Sequence, residues 1–156
     1  MKKIVSTDNA VTSDVLLLVV RVGVAALMLT HGLPKMMMLF GDKPIQFLPA
    51  FGMSAETSLM LTVFAEVACS ILLLVGAGTR LAAIPSIITM LVAIFMVHGS
   101  DPFAKKELAI IYLLIYTALL VGGSGKYSLD YLLRRNKSTA GKTRAGIEDP
   151  TLLIYQ

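Results

Sequence analysis

Four long apolar runs, separated by short polar or glycine-rich breaks, dominate the hydrophobic pattern of this chain. Each run is close to the roughly 20 residues that a helix needs to cross a hydrocarbon core. The pattern predicts membrane-spanning helices over residues 14–33, 55–76, 80–98 and 102–122. We therefore expect an all-α integral membrane protein whose spans form a four-helix transmembrane bundle.

Local sequence features indicate where these helices begin and end. Pro34 discourages a regular helix beyond Leu33, so the first span is expected to stop there. Ser54 is a candidate N-cap for the second helix. Asp101 is a candidate N-cap for the fourth, followed by a proline at the first helical position.

The remaining segments divide the chain further. Residues 36–53 are too apolar for a free loop and too broken by Pro and Gly for a span, so they should lie on the membrane surface or fold over the bundle. After the fourth span, Ser128 can cap a short interfacial helix that suits the lipid headgroups. The predicted organisation is a cytoplasmic segment 1–13, a four-span membrane domain 14–133 and a basic, mobile cytoplasmic tail 134–156.

Composition supports a membrane protein and limits the function. Hydrophobic residues make up 56% of the chain and charged residues 15%, whereas a soluble domain carries about 25% charged residues. The lipid bilayer is therefore the expected partner, and the net charge of +4 is not taken as a sign of nucleic-acid binding. The single cysteine, Cys69, excludes a dithiol relay within the chain and is expected to be a small buried hydrophobe.

The distribution of basic residues predicts topology, because loops rich in Lys and Arg stay in the cytoplasm. With four spans, both termini lie on the same side. That side carries Lys2, Lys3, Arg80, Lys126, Arg134, Arg135 and Lys137, and the opposite side carries Lys35, Lys43, Lys105 and Lys106. The excess predicts that both termini are cytoplasmic.

Glu66 lies near the middle of the second predicted span. Lipid cannot solvate an ionised carboxylate, so this side chain must face protein, face water or be protonated. Arg21, in the first predicted span, lies at a depth that differs from that of Glu66 by about 4–5 Å. Because arginine suits bidentate pairing with a carboxylate, we predict an Arg21–Glu66 ion pair. The pair either only fastens the bundle or belongs to a working site.

A second polar group is predicted near the non-cytoplasmic side. His31 and Lys35 are four residues apart on one face of the first helix, His98 ends the third, and Glu107 opens the fourth. Three chemistries could use them. The histidines could exchange protons with Glu107 or Glu66 beside a quinone headgroup, since histidine titrates in the right range.

Two further chemistries are less favoured. His31 and His98 could be the axial ligands of a haem, but the chain has only these two histidines, so at most one such haem is allowed. His31, His98 and Glu107 could hold a metal, but no local His-x-His or Glu-x-x-His spacing supports it, and we predict none.

Several of these residues recur in a known pattern. They are Arg21, His31-Gly-Leu-Pro-Lys35, Glu66, Gly76-Ala-Gly-Thr-Arg80, Met90, Ala93, His98, Glu107 and Gly123-Ser-Gly-Lys-Tyr-Ser-Leu-Asp130. In order and spacing, over about Val15–Leu133, the chain resembles the DoxX family of small four-helix bacterial inner-membrane proteins. The resemblance implies a redox-associated group, in which the relative DoxD is tied to thiosulfate oxidation with quinone as acceptor. Other members are tied to oxidant resistance and sulfur metabolism, and distant relatives look more like cargo receptors or assembly factors.

The leading hypothesis is a quinone- or sulfur-linked redox component of the inner membrane. Its catalytic candidates are Glu66, Arg21, His31, His98 and Glu107, and its cofactor-binding candidates are His31, Lys35 and His98. Such a protein would act with a partner subunit or as a homo-oligomer. Two alternatives stay open: a non-catalytic binding or assembly protein with a structural Arg21–Glu66 pair, and a small-solute or proton transporter. Whether the chain is an enzyme also stays open.

Overall fold

The computed structural model describes residues 7–135, and within this range the chain is helical with no β-strand. The predicted all-α class is confirmed for these residues. Their long helices are α1 Thr7–Leu39, α2 Ala55–Val75, α3 Thr79–Val97 and α4 Phe103–Gly122. Residues 129–135 are also helical. The predicted tail from Asn136 onward and residues 1–6 of the predicted N-terminal segment lie outside the described range.

In the described part of the chain, three helices are long and apolar enough to cross a bilayer: α1 from Val11, α2 and α3. Their mean hydropathies are 2.0, 2.3 and 2.1. α4 has a similar length, but Lys105, Lys106 and Glu107 occupy its first two turns. By length and composition, α1, α2 and α3 are candidate membrane spans, and α4 differs from them by its charged start.

The long helices pack in a closed arrangement, in which α1 and α3 each contact both α2 and α4. The core between them includes Met28, Leu73 and Tyr116. Cys69 is also buried there, as expected of a small hydrophobe. The opposite helix faces expose large apolar side chains, among them Leu16, Leu81, Phe95, Leu114 and Val121. An apolar core wrapped in an apolar exterior is the arrangement expected when lipid is the solvent.

The predicted end of α1 at Leu33 is wrong, because the helix continues through Pro34 to Leu39. Helix-breaking residues are tolerated in membrane helices when packing against neighbouring helices supports the continuing backbone. Here Met36 and Leu39 pack against the cluster that α2 forms around Leu59. The result is a 33-residue helix, about 50 Å long, which exceeds the thickness of a hydrocarbon core.

The predicted connecting segment 36–53 is wrong for residues 36–39, which belong to α1, whereas residues 40–54 fold over the bundle, one of the two predicted positions. Ile45 and Phe47 pack against the same α2 cluster, and the backbone N–H of Ala50 donates to Ser58 Oγ at 3.0 Å. Ser54 caps α2 as predicted, accepting from the Thr57 N–H at 3.1 Å.

The opposite end of the bundle is closed by a polar network around Arg21, which we call the basal lock. The buried Arg21 guanidinium donates to the carbonyls of Ser124 and Tyr127, at 2.5 and 2.7 Å. The Asp130 carboxylate accepts from the backbone N–H groups of Gly78 and Thr79, at the start of α3. The chain after α4 is therefore tied to both α1 and α3.

The helix that begins at residue 129 has the N-cap that the sequence predicts. Ser128 Oγ accepts from the Tyr131 N–H at 3.2 Å. The position of this helix at the lipid headgroups stays a prediction.

Candidate functional site

A buried ion pair links α1 to α2. Lys35 Nζ donates to both carboxylate oxygens of Glu66, at 2.5 and 2.6 Å. The Glu66 side chain is 5% exposed and that of Lys35 is 30% exposed. Hydrogen bonds between ionised partners are shorter and stronger than neutral ones, so the lysine supplies the solvation that lipid cannot give Glu66.

The pair exists because α1 and α2 approach closely at Gly32. A methyl group built on Gly32 would meet Val67 Cγ2 at 2.7 Å and Glu66 Cβ at 3.0 Å. Small residues let membrane helices come this close. Lys35, three residues further along α1, is then brought to the Glu66 carboxylate.

Glu66 also lies in an irregular part of α2. Residues Phe64–Ala68 form a π turn, in which the Cys69 N–H bonds to the Phe64 carbonyl five residues back. A second π turn ends α3, where the His98 N–H bonds to the Ala93 carbonyl at 2.9 Å. Single π turns within helices are frequent at functional sites. Here both are next to the same group of polar side chains.

The predicted Arg21–Glu66 pair is wrong. Arg21 lies against Gly76, at the far end of α2, where its Nη1 is 2.6 Å from the position of an added Cβ. Gly76 is ten residues beyond Glu66, which is about 15 Å along a helix axis. The error follows from ending α1 at Leu33, because a shorter helix placed Arg21 too near the middle of the membrane.

A cavity of about 130 Å³ opens beside the ion pair. Its polar lining comes from His31, Lys35, Glu66, His98 and Lys105, and its apolar lining includes Met28, Met90 and Leu108. Tyr112 completes the wall from α4. The helices α1, α2 and α4, together with His98 directly after α3, thus bring ionisable side chains and a phenol to one small volume.

Two aromatic contacts hold the α4 side of this cavity. The rings of His31 and Tyr112 meet edge to face, with centroids 6.0 Å apart and planes at 87°. Tyr112 in turn stacks on Tyr116, with centroids 6.2 Å apart. Edge-to-face and stacked pairs of this kind are favourable arrangements of aromatic rings. The imidazole is thereby positioned although its residue is largely exposed.

His98 is oriented by a residue that the sequence had suggested for another role. Its Nδ1 lies 2.8 Å from Asp101 Oδ2, and Lys105 Nζ lies 3.6 Å from the other oxygen of that carboxylate. The hydrogen bond with His98, assisted by the charge of Lys105, lowers the pKa of Asp101. Asp101 was predicted to cap α4, but Pro102 stands at the cap position and makes no side-chain cap bond.

Of the residues predicted at this end, His31, Lys35 and His98 line the cavity and Glu107 does not. Glu107 is exposed on another face of α4. Glu66, predicted to pair with Arg21, instead belongs with this group. The catalytic and cofactor-binding roles assigned to all of these residues stay predictions.

The sequence analysis did not assign Tyr112, Lys105 or Asp101 to the candidate site. The spacing of Lys105, Ala109, Tyr112 and Tyr116 marks one face of α4, and a tyrosine pair on that face was the available indication. Asp101 follows His98 by three residues across a Gly-Ser turn, which is a local contact that the sequence also allowed. Across the described residues, no three His, Cys, Asp or Glu side chains come together as a metal site would require.

The fold and the cavity define a small helical membrane protein with a charged, partly buried pocket between its helices. A model of the DoxX family matches residues 16–99. A Haemophilus influenzae protein, described as an uncharacterized protein, is 31% identical over 117 residues, covering 70% of this chain and 84% of that protein. No solved structure matches the chain. The chain belongs to the DoxX family, and the resemblance in its sequence is confirmed.

Proposed function

We propose that this protein is a quinone-linked redox component of the bacterial inner membrane, and that the cavity beside Glu66 binds the quinone headgroup. The observation that carries the proposal is the lining of that cavity. Donors and proton acceptors, His31, Lys35, Glu66, His98 and Tyr112, surround a space of about 130 Å³. This volume is somewhat below the roughly 150 Å³ of an enclosed apolar cavity that holds benzene, but the cavity here is open on one side, so a six-membered ring can enter it with its substituents outside.

The chemistry of a quinone matches these groups. Reduction of a quinone to a quinol takes two electrons and two protons, and the protons go to the two carbonyl oxygens. The Lys35 ammonium and the Tyr112 hydroxyl are donors that can bind those oxygens. Glu66, held by Lys35, can accept and return a proton within the cavity, and each imidazole, of His31 and of His98, has one ring nitrogen that can donate a hydrogen bond and one that can accept.

The electrons require a separate source. The chain contains one cysteine, so no dithiol within it can relay them. We therefore propose that they come directly from a sulfur donor, as when two thiosulfate ions join through a new S–S bond into tetrathionate and release two electrons to the quinone, or from a partner subunit. This part of the proposal rests on the chemistry implied by the DoxX resemblance.

The membrane arrangement is part of the same proposal. α4 crosses as a fourth span, since its exposed side chains Leu114 and Val121 are as apolar as the lipid-facing sides of the other helices. Both termini are cytoplasmic, which leaves the cavity end of the bundle toward the periplasm. A reporter that is active only outside the cytoplasm should be inactive when fused after Gln156 and active when inserted at Asp42. The reverse result would contradict this orientation.

Activity is tested with purified protein, alone and with any co-purifying subunit, by following quinone absorbance after addition of thiosulfate. The wild type should reduce quinone, and Glu66→Gln should be slower by about tenfold or more. Glu56→Gln, which changes an exposed carboxylate of the same helix, should match the wild type. No reduction by any preparation would overturn the redox assignment.

A non-catalytic binding or assembly role is the second candidate, favoured by the completeness of the Lys35–Glu66 pair. Both carboxylate oxygens accept from the same ammonium, which is the arrangement expected of an ion pair that only stabilises the packing of α1 against α2. A purely structural pair should tolerate exchange of its charges. Normal folding of a Lys35→Glu/Glu66→Lys double variant, together with no quinone reduction by the wild type, would support this alternative.

A further inference from the structure

A second cavity adjoins the first at the Lys35–Glu66 pair and lies beneath residues 40–54. Its volume is about 240 Å³, larger than the first. Lys35, Glu66, Ala93 and His98 line both cavities. The two spaces are therefore neighbouring chambers that meet at the ion pair, and we call them the polar chamber and the apolar chamber.

The apolar chamber is lined mainly by hydrocarbon. Phe47 and Leu48 of the covering segment face Val92 and Val97 of α3 across it. Since 150 Å³ of apolar cavity already holds a benzene molecule, a branched group of five carbons fits within 240 Å³.

The hydroxyls along the α2 wall of this chamber are occupied by nearby backbone. Ser58 Oγ donates to the Ser54 carbonyl at 2.9 Å and accepts from the Ala50 N–H. Thr62 Oγ1 donates to the Ser58 carbonyl at 2.8 Å. Because both hydroxyls are already hydrogen-bonded to the backbone, they do not require a polar group of a ligand as a partner.

The covering segment is fastened at both sides of the chamber. Phe47 packs against the α2 cluster of Leu59, Val63 and Val67, and Ala50 is buried. Leu48, between them, is half exposed and lines the chamber. The segment thus shields the chamber with apolar side chains, which is what an apolar ligand group requires.

We propose that the apolar chamber binds the first unit of the isoprenoid chain of a quinone whose ring occupies the polar chamber. This inference rests on the proposed function and names the ligand class more closely: an amphipathic, prenylated quinone. The shared residues argue for one ligand rather than two. A ring held beside Lys35 and Glu66 lies next to the apolar chamber, because Ala93 and His98 line both spaces as well. Burial of a prenyl group in that chamber removes hydrocarbon from solvent.

The test compares two quinones that share one ring: 2,3-dimethoxy-5-methyl-1,4-benzoquinone, and the same ring carrying one prenyl group. Both are titrated calorimetrically against the full-length protein in a single detergent. Val92→Trp fills the apolar chamber. Leu91→Trp, on the adjacent exposed position of α3, is the matched control, because Leu91 does not line the chamber. Each quinone partitions into the detergent to the same extent with every variant, so this partitioning cancels when the affinities of variants for one quinone are compared.

In the wild type and in Leu91→Trp, the prenylated quinone should bind at least about tenfold more tightly than the tail-less one. In Val92→Trp this ratio should fall to near one while the affinity for the tail-less quinone is kept. If Val92→Trp does not fold, Leu48→Trp narrows the same chamber from the half-exposed covering segment and should give the same result.

The two possible failures are distinguishable. If both quinones bind the wild type but the prenyl advantage survives the filling variant, the chamber does not hold the chain and this inference is overturned alone. If neither quinone binds the wild type, the proposed function is overturned and this inference with it.

Discussion

Lys35 holds Glu66 by both carboxylate oxygens, at 2.5 and 2.6 Å, across the interface between α1 and α2. This contact brings a lysine from the last turns of a long helix to a carboxylate in the middle of another. It depends on α1 remaining helical through Pro34 and on the absence of a side chain at Gly32. The pair lies where the two chambers meet and contributes charged side chains to the lining of both.

The first prediction concerns the energy of this pair. Lys35→Met leaves Glu66 buried without a partner and should lower the free energy of unfolding by about 3 kcal/mol, the lower end of the range for a broken buried pair, because Lys35 is partly exposed. Lys35→Met/Glu66→Met should recover most of that loss, since apolar replacement of a whole buried pair is often neutral. Denaturant unfolding in detergent measures both. A double variant as unstable as the single one would contradict the pairing.

The second prediction concerns Gly32. Gly32→Ala places a methyl group at 2.7 Å from Val67 Cγ2 and 3.1 Å from the Glu66 carbonyl carbon, so α1 and α2 must move apart. Overpacking of this kind should cost about 1–3 kcal/mol and disturb the ion pair. The matched control is Gly23→Ala on the same helix, where no atom lies within 4 Å of the added methyl group. That variant should be neutral or more stable by up to about 1 kcal/mol. Equal effects of the two variants on the unfolding midpoint would argue against close approach at Gly32.

The third prediction concerns the basal lock. Arg21→Met removes the hydrogen bonds from the guanidinium to the carbonyls of Ser124 and Tyr127 and should destabilise the protein by about 3 kcal/mol. Arg80→Met loses one exposed bond to the Val121 carbonyl and should cost less than about 1 kcal/mol. Quinone affinity should be unchanged in both variants wherever they are folded. If a stably folded Arg21→Met protein lost quinone binding, Arg21 would have to be part of the quinone site.

Sequence reasoning predicted the helices well because hydrophobic runs and spacing are local properties. The 3.6-residue period placed His31 and Lys35 on one face, and both line the cavity. The partner of Glu66 depended instead on the vertical register of two helices. The sequence predicts that register from a helix α1 that ends before Pro34, whereas packing carries α1 on to Leu39.

The rotational position of α4 was equally hard to predict. Its charged start offered Lys105, Lys106 and Glu107 as neighbours in sequence, but only Lys105 lines the cavity. Which of three adjacent charges faces inward is decided by Tyr112 and Tyr116, which are buried on the same side of the helix. The two chambers themselves arise from how the covering segment packs, and no local pattern in residues 40–54 specifies that.

The fourth prediction concerns pH. Because its hydrogen bond with His98 lowers the pKa of Asp101, this carboxylate stabilises the folded protein above its usual pKa of 3.8, and the stabilisation is lost as pH falls through the lowered value. Asp101→Asn should therefore be less stable than the wild type at neutral pH, and the difference should shrink as the pH drops below 3.8. Unfolding midpoints measured from neutral to acid pH follow this directly. A difference that stays constant with pH would show that the Asp101 charge is not involved.

Binding of a quinone ring beside Glu66 is the central claim, and calorimetric titration of purified protein with 2,3-dimethoxy-5-methyl-1,4-benzoquinone tests it most directly. The wild type and Glu56→Gln should give the same saturable affinity. A folded Glu66→Gln protein no longer holds the Lys35 ammonium through two charged hydrogen bonds beside the ring, so it should bind at least about tenfold more weakly, a loss of about 1.4 kcal/mol. Absence of saturable binding to the wild type, or an affinity that Glu66→Gln leaves unchanged, would contradict the claim.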